Sequence, residues 1–177
     1  AERINEVLDA APHITEGAVS DSSEHGTLEF RDVSFRYPNA KEDELEHISF
    51  KLETGQTLAI IGATGSGKTT LVSLIPRFYD ATSGEVLIDG VNVKDYTFDA
   101  LYNRLGYITQ KAVLFAGSVR DNVFFGQSAE PETDETLSDA LCLSQAAEFV
   151  GKYPEGAAHP IAQLGRNVSG GQKQRLS

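Results

Sequence analysis

Residues 62–70 read Gly-Ala-Thr-Gly-Ser-Gly-Lys-Thr-Thr. Glycines tolerate a positive φ and carry no Cβ, so a run of them lets successive backbone N–H groups curl around an anion. Gly62, Thr64, Gly65, Ser66 and Gly67 supply such a cradle. Lys68 adds a point charge, Thr69 places a hydroxyl oxygen where a Mg²⁺ ion can use it, and Thr70 adds a second hydroxyl. Residues 62–69 match the spacing G-x-x-x-x-G-K-[ST] in full, which selects the phosphates of a nucleoside triphosphate. The alternative is a glycine-rich turn that only links two elements. Many unrelated reactions use such a cradle, so the reaction must be read elsewhere.

The cradle needs a strand before it and a helix after it. "TLAII", residues 57–61, is a continuous apolar run and predicts a strand covered on both faces. "KTTLVSLIPRFY" predicts a helix that ends or kinks at Pro76. Upstream, "TLEFRDVSFRYP" alternates through Leu28 and Phe30, then Val33, Phe35 and Tyr37, and "HISFKLETG" through Ile48, Phe50 and Leu52. Two half-buried antiparallel strands are expected there. "GEVLIDG" and "LGYITQ" read as further short strands. "AERINEVLDAAP" reads as a helix closed by Pro12, and "HITEGAVSDSSEHG" as a linker. From Lys111 onward the sequence turns helical, with acidic turns.

The bulk numbers fit a globular domain. The chain has 177 residues, 40% hydrophobic and 23% charged, with a net charge of −11. Such acidity argues against broad binding to nucleic acid or anionic lipid. No apolar run reaches the roughly 18–20 residues that cross a bilayer, and no signal peptide is present, so a soluble segment is expected. The single cysteine, Cys142, is expected on an apolar helix face as a small buried residue, as in a reducing cytosol. The chain begins at Ala1, holds no methionine and stops in the first turns of a helix. It therefore reads as part of a longer protein.

A second motif narrows the field. Ser169-Gly170-Gly171-Gln172, followed by Lys173 and Arg175, resembles the signature of ATP-binding cassette (ABC) proteins. Val168 stands where that signature usually has leucine. Residues 71–90 are similar to the stretch after the phosphate loop of ABC exporters. Residues 107–126 resemble their glutamine loop, residues 35–38 their aromatic loop, and residues 2–10 the segment that joins a transmembrane domain to the nucleotide-binding domain.

The resemblance implies a fold and a mechanism. The fold is α/β: a P-loop NTPase core with an antiparallel β subdomain and a helical subdomain, the last core strands lying past the signature. Residues 1–25 would be the linker, 26–110 the nucleotide-binding core, and 111–177 the helical subdomain. Tyr37 would stack on adenine, or be an ordinary strand-end aromatic. Gln110 would touch Mg²⁺ or the attacking water, or be a polar strand end. Ser169, Gly170, Gly171 and Gln172 would close on the γ-phosphate of a nucleotide held by a second domain. Ser169 would also cap its helix. Two domains would then pair head to tail around two ATP molecules. Two acidic copies repel, so bound Mg-ATP would bridge them.

Two departures stand out. Exporters usually carry G-E-x-G before the signature, where this chain has Ala162-Gln163-Leu164-Gly165. The missing charge puts the usual contact with the membrane domain in question, while Gln163 can still hydrogen-bond and keep the geometry without it. No Asp or Glu follows the signature, and His13, His25, His47 and His159 all precede it. The family's metal-binding aspartate, catalytic glutamate and switch histidine would lie further on. The chain alone is expected to bind Mg-ATP without hydrolysing it, and to be unstable or prone to aggregate.

The expected function is the ATP-binding domain of an exporter at the cytoplasmic face of the cell membrane. Its partners would be a second such domain and a transmembrane domain, and the intact protein would be an ATP hydrolase. The alternatives are an ABC ATPase of DNA repair or the ribosome, and an interaction module without turnover. The acidic charge and residues 2–10 weigh against the first alternative.

Overall fold

The computed structural model describes residues 12–23, 25–126 and 131–177. The helix expected at 2–10 lies outside the described residues. The chain divides into two compact units, residues 1–106 and 107–177.

The first unit is built on a four-stranded antiparallel sheet. Its strands are β1 (Leu28–Phe35), β2 (Leu45–Leu52), β3 (Ser83–Ile88) and β4 (Val91–Asn92), in the order β2-β1-β3-β4. β1 and β2 pair as the alternation predicts, with Phe30 opposite Phe50 and Val33 opposite Ile48. Phe30, Val33 and Phe35 are buried. The register shifts between Phe30 and Val33, where Asp32 takes a left-handed φ of 51°. The extra residue moves the apolar phase from even to odd positions while keeping one face on the core.

Helix α1 (Lys68–Leu74) lays Leu71 and Leu74 into the same core as the sheet. Burying such a side chain stabilises by about 1.5–3 kcal/mol. The helix stops before Pro76, which has no N–H to continue it. Helix α2 (Phe98–Tyr102) is capped by the Thr97 hydroxyl and buries Leu101. Residues 17–19, read as linker, are pinned to the unit. Gly17 and Val19 donate to Tyr96 and Asp95, and Thr97 donates back to Val19.

Two expected strands do not form. Residues 57–61 pair with no strand among the described residues, and Leu58, Ile60 and Ile61 are exposed, Ile61 by 93%. Residues 105–110 are likewise irregular, with Ile108 exposed. The reason is physical. A strand apolar on both faces needs partners along both edges and layers above and below. The described residues supply neither to these segments.

In the second unit the regular structure among the described residues is mostly helical. Its helices are α3 (Val119–Val123), α4 (Asp134–Leu143), α5 (Ala147–Val150) and α6 (Gly170–Leu176). A two-residue ladder that the sequence reading missed joins β5 (Gly117–Ser118) to β6 (Pro160–Ile161). Leu114, Val119, Leu137, Leu141, Phe149, Ile161, Val168 and Leu176 form the core. Cys142 is exposed, contrary to expectation. Leu137 and Leu141, four residues apart, define the inner face of α4, and Cys142 lies about 100° around the helix from Leu141. No helix among the described residues is long and apolar enough to cross a membrane.

Candidate functional site

The glycine run forms an exposed loop leading straight into α1. One glycine of the run, Gly67, is enforced by the chain itself. Gly67 caps α1 at φ 76°, and a methyl there would come within 2.8 Å of the Leu45 Cδ2 atom. A methyl on Gly62 would meet the Ser66 hydroxyl at 2.5 Å. α1 has no side-chain cap, so its first N–H groups are left for an external acceptor.

Lys68 folds back over the loop. Its ammonium donates to the carbonyls of Gly62 at 2.9 Å and Ala63 at 2.5 Å, and to the Ser66 hydroxyl at 3.2 Å. These acceptors are neutral. A phosphate oxygen carries a full opposite charge, so it competes for the ammonium with a Coulomb attraction that these neutral acceptors lack. Thr69 is exposed, so its hydroxyl is open to a hard cation. Free helix N–H groups, a lysine ammonium folded over the loop and an open hydroxyl around one glycine loop fit a polyphosphate carrying Mg²⁺.

Tyr37 lies just beyond β1, half-buried. Its ring meets Phe35 edge-on at 4.8 Å and Tyr79 edge-on at 5.3 Å. Its hydroxyl lies 2.9 Å from the Thr70 hydroxyl, on the first turn of α1. The structure thus brings Tyr37 to the helix that carries Lys68 and Thr69. Nothing in the sequence joins these positions, 33 residues apart.

The signature residues open α6 in the second unit. Ser169 is the N-cap, accepting from the Gln172 N–H at 3.3 Å, while its own N–H donates to the Gln172 side chain at 2.8 Å. This reciprocal capping box satisfies two N–H groups. Gly170 and Gly171 are exposed, and a methyl built on either meets nothing within 4 Å. Before them, Lys173 donates to the Leu164 carbonyl at 2.8 Å, and Asn167 bridges Ala162 and Pro160. Gln163 is exposed in a 3₁₀ turn, and Val168 is buried in the core. Gln110 is exposed in the same unit as the signature.

Comparison with known proteins shows the family. The family model for the ABC transporter matches residues 45–177, and the chain belongs to that family. It is 40% identical over 177 residues to the ATP-dependent lipid A-core flippase of Xanthomonas oryzae pv. oryzae, covering 100% of this chain and 30% of that protein. It is 41% identical over 182 residues to Multidrug resistance protein 1 of Entamoeba histolytica, covering 100% of this chain and 14% of that protein. Among solved structures it is similar to a bacterial Atm1-family ABC exporter with ATP bound. The TM-score is 0.86 at 27% identity, over 99% of this chain and 31% of the other. The chain spans less than a third of the length of these relatives. The α/β fold class expected from the sequence is the observed one.

Proposed function

We propose that this chain is the ATP-binding domain of an exporter, coupling ATP binding and hydrolysis in the intact protein to transport across a membrane. Gly62, Thr64, Gly65, Ser66 and Gly67 cradle the phosphates, and Lys68 neutralises the β- and γ-oxygens. Thr70 lies beside them on the first turn of α1. Thr69 offers its hydroxyl to the metal, and Gln110 keeps the role the family resemblance gives it, a contact to Mg²⁺ or to the attacking water. Bound Mg²⁺ supplies charge neutralisation on the phosphate oxygens. Tyr37 covers the base. Ser169, Gly170, Gly171 and Gln172 close on the nucleotide of a second copy or a related domain.

One observation carries this reading. Gly67 is required by its own left-handed backbone and by the Leu45 side chain and Glu44 carbonyl beside it, whereas a side chain at Gly170 or Gly171 would meet open space. Glycine in a helix is less stable than alanine by about 0.5–1 kcal/mol. We read two glycines at a helix start beside open space as serving an approach from outside the chain.

The second unit also exposes Val113, Phe115 and Phe125 around a cleft of about 450 Å³, with Phe115 and Phe125 stacked at 4.1 Å. We assign that apolar face to contact with the membrane-spanning part, the domain lying on its cytoplasmic side as in the family it resembles. Titration of the full-length protein with Mg-ATP, with and without Lys68→Ala, tests the reading. Saturable binding that collapses in the variant supports it, and equal affinity in both removes it.

A further inference from the structure

The contact between Tyr37 and Thr70 goes beyond the separate roles of base and phosphate contacts. We propose that the Thr70 hydroxyl is the positioning group for Tyr37, locking the base-covering ring to the first turn of the phosphate-binding helix. The proposal rests on the nucleotide reading above.

Thr70 is 5% exposed, so its hydroxyl sits where an unmet hydrogen bond is penalised. Its partner is the Tyr37 hydroxyl at 2.9 Å. The Tyr37 ring is otherwise held by edge contacts to Phe35 and Tyr79, with interplanar angles of 82° and 85°. Those contacts are apolar and resist sliding only weakly. The hydroxyl pair adds a directional tether at the far end of the ring. Phe35 is itself a fully packed core residue, so the ring is braced between the sheet and α1. The exposed remainder of a half-buried ring is the part a base can cover. A ring held in place before binding loses less rotamer freedom when the base arrives. The phosphate loop and the base platform then act as one pre-set body, and the tether favours ligands that carry a base over those that carry only phosphates.

The test compares Mg-ATP with magnesium tripolyphosphate, titrated calorimetrically into the full-length protein. The readout is the ratio of the two affinities. Tyr37→Phe keeps the ring and removes the tether, and Thr70→Val removes its other end. Each single change lowers the ratio roughly three- to tenfold, and the double change lowers it no further. Thr70→Ser restores it. A merely structural role would lower both affinities together and leave the ratio at its wild-type value, which overturns the proposal. Additive losses in the double variant also overturn it. A wild type that binds neither ligand removes the nucleotide reading itself.

Discussion

The phosphate loop and the signature stretch are alike in outline. Each is a glycine-containing turn that opens a seven-residue helix, α1 in one unit and α6 in the other. They differ in what holds them. The phosphate loop has no side-chain cap and depends on Gly67 in a left-handed conformation pressed against Leu45. The signature stretch has a complete capping box between Ser169 and Gln172, and a side chain on either of its glycines would meet open space. One loop is shaped by its own chain and left electrically unfinished. The other is electrically closed at its cap and sterically open. In the proposed reading the first receives a ligand and the second is laid against one.

The largest way to break this contrast is Lys68→Ala. Removing a charge-assisted contact should weaken Mg-ATP binding by about 1.5–3 kcal/mol or more, roughly 10- to 150-fold. Calorimetric titration reads it directly.

A pair of glycine substitutions sharpens the contrast. Gly67→Ala places a Cβ at φ 76° against Leu45 and should lower stability by about 1–3 kcal/mol. Gly171→Ala should leave stability unchanged or raise it by up to ~1 kcal/mol, while weakening the ATP-driven pairing of domains. Thermal melts and cross-linking of the full-length protein separate the two effects. Equal destabilisation at both sites would erase the difference on which the account depends.

A smaller effect is expected at the cap. Ser169→Ala should cost about 1 kcal/mol of stability, because the Gln172 N–H loses its acceptor. Ser169→Asn should recover most of it.

The smallest concerns His47, whose Nδ1 lies 2.8 Å from the Asp32 carboxylate beside the β1 bulge. The hydrogen bond to Asp32, with its charge, raises the His47 pKa above the ordinary value. A raised folded-state pKa means the pair stabilises fully below about pH 6.5 and fades as pH climbs through the folded value. Both side chains are exposed, so the change in stability is slight. An NMR titration should place the His47 midpoint above that of a free histidine, and Asp32→Asn should bring it back.

The contrast between the two regions was legible in the sequence only where the cause is local. The glycine spacing of 62–69 and the serine cap at Ser169 depend on residues a few positions apart, so both could be read directly. The phase slip between Phe30 and Val33 is also visible in the letters, and it marks the Asp32 bulge. Other features depend on distant partners. "TLAII" has the composition of a buried strand, but pairing is a property of its neighbours, and residues 57–61 are exposed. Cys142 sits one position from the buried Leu141, and that single step decides its burial. The link from Tyr37 to Thr70 and the β5–β6 ladder join segments more than 30 residues apart, beyond any local pattern.

The central claim is that the phosphate loop of one copy works with the signature of another. The most direct measurement mixes two disabled copies of the full-length protein, one carrying Lys68→Ala and the other Ser169→Arg. Pairs holding one of each are isolated through two tags and assayed for occluded Mg-ATP. In such a pair the intact loop of the second copy faces the intact signature of the first. The account predicts about one occluded nucleotide per mixed pair and none in either variant alone. No occlusion in the mixed pair would mean that each signature serves its own chain, and would contradict the account.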